Sequence, residues 1–129
     1  MATAPVFIGT PKTWVGQLTA ANTNRDGTGT VVTIATAGAA PGSRIDSIEI
    51  VGVGSVTAGM VRLFLHDGTN YRLFREIAVS ATVPSGTVEG WRAVFNFLEG
   101  LTLPNLWSLR ASTHNAETFN VIARGGDYA

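Results

Sequence analysis

The side chains able to do chemistry in this 129-residue chain are few, and their spacing is poor for it. There are two histidines, His66 and His114, and no cysteine. A zinc centre built from side chains needs three or four ligands at coordinated spacings, which two distant histidines cannot supply. His66 adjoins Asp67, which could form an acid–base pair, but the sequence HDGTN reads first as turn polarity. DGTGT (26–30) and DGTN (67–70) are oxygen-rich, yet neither carries the periodic carboxylates of a calcium loop. GVGSVTAG (52–59) has the glycines of a phosphate cradle without a lysine or a following helix. No Ser or Thr has a recognisable oriented base beside it. The expectation is therefore a non-enzyme, with no catalytic, cofactor-binding or metal-binding residues. Trp14, Trp91 and Trp107 remain, either as a stacking platform for sugar rings or as core and interface residues.

The elements that would position these residues are β-strands. VRLFLHDGTNYRLFREIAV (61–79) alternates on both sides of Asp67-Gly68, the signature of a hairpin. Val61, Leu63 and Leu65 face one way and Arg62, Phe64 and His66 the other. Tyr71, Leu73, Ile77 and Val79 line one side of the partner strand, and the pair is expected to be central. Further strands are expected at 13–19, 30–36, 44–53, 91–98, 106–113 and 118–125, with Gly-, Pro- and Asn-rich turns between them. Ile45 is out of phase with Ile48 and Ile50, which predicts a bulge or a bent start there. In 91–98, Trp91, Ala93, Phe95 and Phe97 share a face; EGLTLPN (99–105) reads as a closing loop. About eight short strands without a helix predict an all-β fold: a single antiparallel β-sandwich, jelly-roll-like, over residues 13–129. Residues 1–12, with Pro5 and Pro11 around a short apolar run, read as an N-terminal arm. Val6, Phe7 and Ile8 of that arm, with Trp14, are the expected interface residues, able to extend the edge of a partner's sheet.

Composition narrows the class. Charged residues make up 14% of the chain, where about a quarter is usual, and nine basic residues balance nine acidic ones. A surface so poor in charge suits partial coverage by neighbours. The scattered arginines form no basic face, so no nucleic-acid partner is expected. No apolar run approaches a membrane helix, and the start MATAPVFIGTPKTW lacks the pattern of a signal peptide. Synthesis in a cytoplasm is expected.

Two stretches, VRLFLHDGTNYRLFREIAVSATVPSG (61–86) and GLTLPNLWSLRASTHNAETFNVIARGGDY (100–128), resemble small structural proteins of tailed bacteriophages. The resemblance spans roughly residues 43–129; the preceding third matches only as a Thr/Ala/Gly-rich lead-in. It implies a non-enzymatic β-sandwich of the virion, most like a capsid decoration (cement) protein on the outer head surface. Implied partners are the major capsid protein and further copies of the chain, as a homotrimer at a local threefold. A tail or fibre module meeting the host surface is the alternative within the virion. A carbohydrate-binding β-sandwich is the alternative outside it.

Overall fold

The computed structural model describes residues 8–129 and consists of eight strands in two four-stranded antiparallel sheets. They are β1 (Ile8–Leu18), β2 (Val32–Thr36), β3 (Ser43–Gly52), β4 (Gly59–His66), β5 (Tyr71–Val79), β6 (Arg92–Leu103), β7 (Ser108–Thr113) and β8 (Phe119–Tyr128). One sheet has the order β1-β8-β3-β6 and the other β2-β7-β4-β5. Successive strands alternate between sheets except at the β4–β5 hairpin, which is the double Greek key of a jelly roll. The all-β sandwich expected from the turn spacing is thus the observed fold.

The core lies between the sheets. Ile45, Ile48 and Ile50 of β3, Val61 and Leu63 of β4, Leu109 and Ala111 of β7, and Val121 and Ala123 of β8 are fully buried there. Period-two alternation aims these side chains inward and leaves their neighbours outside. The bulge expected at Ile45 exists: Asp46 is skipped in the pairing of β3 with both neighbours, so Ile45 and Ile48 can both point to the core.

Three expectations need correction. First, the hairpin does not join two central strands. β4 is interior, but β5 is the edge of its sheet. A bulge at Phe74 separates the Leu63–Arg75 and Phe64–Leu73 pairs. It shifts the phase of β5, so Tyr71 and Leu73 lie on the outer face while Ile77 and Val79 remain inside. Second, EGLTLPN does not close a loop at once. β6 bulges through residues 97–100, with Gly100 at φ +76°, and then resumes pairing as Leu101–Ile45, Thr102–Arg44 and Leu103–Ser43. Third, β1 begins at Ile8, so Ile8–Lys12 of the expected arm belong to the sheet, paired with β8. Lys12 holds this stretch down through a 2.8 Å ion pair with Asp127.

The outer face of β4 is buried as well. Arg62 and Phe64 point away from the core, yet they are 5% and 0% exposed. The β1–β2 loop (residues 19–31) folds over this face. A parallel bridge joins Ala21 to Thr113, and Asn22 N donates to Thr113 O at 2.8 Å. Gly27, at φ +89°, lies so close to Tyr71 that a Cβ would collide with the ring. Only glycine combines that backbone conformation with that approach.

Candidate interaction surfaces

Two regions stand out among the described residues. The first is the polar cluster beneath the β1–β2 loop. Arg62 Nε donates to Glu76 Oε2 at 3.2 Å, and Nη1 to the carbonyl oxygen of Asn22 at 3.3 Å. Both terminal nitrogens also lie 3.3 Å from His114 Nδ1. A guanidinium only donates, so Nδ1 must accept and the imidazole proton sits on Nε2. Arg25 of the loop pairs with the other oxygen of Glu76. Asn22 organises the loop itself: Nδ2 donates to Thr28 O and Thr30 O, each at 2.9 Å, and Oδ1 accepts from Asn24 N at 3.0 Å. A cleft of about 170 Å³ opens beside this cluster, lined by Ala58, Gly59, Met60, Arg62 and His114. Its guanidinium is already committed to Glu76, Asn22 and His114. The arrangement fastens a loop to a sheet.

His66, at the far end of β4, accepts from Gly68 N through Nδ1 at 3.2 Å. Asp67 Oδ1 accepts from Asn70 N at 2.7 Å and Thr69 N at 2.9 Å. Those backbone donors hold the Asp67 carboxyl below its ordinary value. The pair shapes a turn. Among the described residues, no group of three or more His, Asp or Glu side chains is placed to hold a metal ion.

The second region is the open side of the sandwich between edge strands β5 and β6. Phe74 and Phe97 rings stand 5.9 Å apart across it. Arg75 lies over Phe95 at 5.1 Å and over Phe74 at 5.8 Å, a guanidinium lid on an aromatic seam. Of the exposed large apolar side chains, Val83, Val88, Val94 and Leu98 all fall in the β5–β6 loop and β6. Leu98 is 95% exposed, at the crest of the β6 bulge. Sequence alternation hinted at this surface, since Val94 and Leu98 are apolar in the outward phase of WRAVFNFL.

Of the expected interface residues, Val6 and Phe7 lie outside the described residues. Ile8 is half-buried opposite Tyr128 at the start of β1. Trp14, opposite Ala123, is half-buried and packed against the core. Trp91 and Trp107 pack against the core too, and Trp91 meets Phe119 edge-on at 5.7 Å. That packing favours the core reading of all three over a sugar platform.

The Lys12–Asp127 pair has a pH signature. Lys12, then the Ser43 hydroxyl at 2.6 Å, hold the Asp127 carboxyl below its ordinary value. A carboxyl depressed in the folded state adds stability above its unfolded pKa and loses it as pH falls through the folded one. Asp127→Asn should therefore lower Tm at neutral pH, with the gap to wild type closing as pH is taken well below 4. A gap independent of pH would mean the charge contributes nothing.

Comparison with family models, curated proteins and solved structures returned no match.

Proposed function

We propose that the chain is a structural protein of a tailed-phage virion, a decoration protein seated on the outer capsid surface against the major capsid protein. The observation that supports this best is the distribution of apolar surface. The Arg62 guanidinium beside the cleft is committed to Glu76, Asn22 and His114, while four of the exposed Val and Leu side chains belong to the β5–β6 loop and β6. Such a body suits holding neighbours together, which requires area and valency rather than a pocket. The likeness of residues 43–129 to small phage structural proteins supplies the virion context. A tail or fibre module is the second reading, supported by the same likeness.

The test is the copy number in purified particles of the virus encoding the chain, by quantitative mass spectrometry. A count comparable to the major shell subunit is expected. A handful of copies would transfer the reading to the tail, and absence from the particle would end it. For the arm, the informative truncation stops at residue 7, because Ile8–Lys12 form part of β1. Removing residues 1–7 is expected to leave Tm unchanged while weakening attachment to undecorated heads; undiminished attachment would exclude a role for Val6 and Phe7.

A further inference from the structure

The two sheets expose four edge strands, and three of them are blunted. β1 carries Pro11 and Lys12 and a bulge at Gly9. β2 is five residues long and bulged at Ile34. β5 carries Arg72, Arg75 and Glu76 and the bulge at Phe74. Proline, charge, brevity and bulges are the usual means of preventing a free edge from recruiting another strand. β6 differs. From Arg92 to Asn96 it is regular, and it pairs with β3 residue for residue. Its one charge there, Arg92, is already bonded to Glu49 at 3.2 Å.

The outward backbone groups of this segment can be assigned. Trp91 O accepts from Gly52 N of the neighbouring strand. By ladder alternation residues 91, 93 and 95 bond inward to β3, leaving the N–H and C=O of Arg92, Val94 and Asn96 directed away from the sheet. An antiparallel partner centred on Val94 meets these groups in register.

We propose that β6 is a homodimerisation edge. Two copies pair antiparallel through Arg92–Asn96 about a two-fold axis at Val94, joining their sheets into one of eight strands. The segment is complementary to itself in this register. Val94 faces Val94, each Ala93 faces a Phe95, and each Arg92 faces an Asn96, so no like charges meet within the ladder. Small opposes large on the inner face, and a β-branched pair sits on the axis. The bulge at 97–100 ends the ladder, and the two-fold closes the assembly at two copies. The contact therefore joins pairs, unlike the threefold association implied by the sequence resemblance, and it does not depend on the virion reading.

The test uses the full chain in solution. Sedimentation from about 1 to 100 µM, the range in which a modest edge contact associates, should show a monomer–dimer equilibrium. Val94→Pro removes an outward N–H and no internal bond, so it should yield a folded monomer; Val94→Lys, placing like charges on the axis, should do the same. Because the protein has no cysteine, Val94→Cys carries its only thiol. Paired Cα atoms of about 5.5 Å on the axis permit a disulfide. Val94→Cys should then oxidise to a covalent dimer roughly tenfold or more faster than Val15→Cys, on the opposite edge strand, because pairing raises the local thiol concentration. A wild-type monomer throughout the range, equal oxidation rates, or a dimer that survives Val94→Pro would each overturn the proposal.

Discussion

Replacing Gly125 with alanine is expected to cost the protein most of its stability. β8 runs between β1 and β3, and Gly125 stands opposite Ile45, beside the Asp46 bulge. That bulge carries the β3 backbone across the residue, so a Cβ would overlap the Arg44 carbonyl and press on Ile45 Cα. Both are main-chain atoms in a paired strand and cannot swing aside as a side chain would. Relief requires moving β3 or β8, each anchored by fully buried side chains. An effect of about 4 kcal/mol, among the largest for a single substitution, is expected. For a domain of this size that corresponds to a fall in Tm of roughly 15 °C. Gly86→Ala is the control: nothing lies within 4 Å of its added methyl, and its Tm should be unchanged. Equal Tm values for Gly125→Ala and wild type would mean that the close approach does not exist.

Arg62→Ala should produce the second large effect, by a different route. The Arg62 side chain is only 7% exposed and bonds Glu76, the Asn22 carbonyl and His114 together. Its loss leaves Glu76 only the exposed Arg25 and strands a loop carbonyl at a largely buried site, which should cost about 3 kcal/mol. The damage should be local in character. The β1–β2 loop is held to the sheet through this cluster, so hydrogen exchange at the Asn22 amide should accelerate well beyond that at core amides. Arg25→Ala removes the other arginine on Glu76. Its side chain is 64% exposed, so the loss should stay below about 1 kcal/mol. Similar losses for both variants would show that burial does not set the value of these ion pairs.

The parts of this architecture legible in the sequence are those governed by neighbouring residues. Ile48, Ile50, Val61, Leu63, Val121 and Ala123 announce the strands because alternation is local, and Asp67-Gly68 announces the hairpin for the same reason. Even the Asp46 bulge is legible, since it must restore Ile45 to the core. What escaped is set by distant partners. Nothing near Arg62 signals that a loop some 40 residues earlier will cover it. β5 looks central because Leu73, Ile77 and Val79 are apolar, but edge position depends on which strand arrives beside it. β6 continues beyond Gly100 because Ser43–Ile45 offer it a ladder. The interface residues followed the same division. Trp14 stands out by composition alone but packs against the core, whereas Val94 and Leu98 are marked only as apolar residues in the outward phase of β6, and their exposure depends on nothing covering that face.

The strand order also governs when the fold can form. β8, last in chain order, occupies an interior position between β1 and β3, and it pairs Gln17 with Asn120 across 103 residues. On a ribosome β1 must wait for about a hundred further residues before β8, its partner among the described strands, emerges. The sheet holding β2, β7, β4 and β5 can begin from the hairpin, but β1 and β3 remain unjoined until residues 119–128 are free. Such long-range closure makes folding slow. During that delay the blunted edge of β1, with Pro11 and Lys12, protects the nascent chain from pairing with its neighbours on the same message.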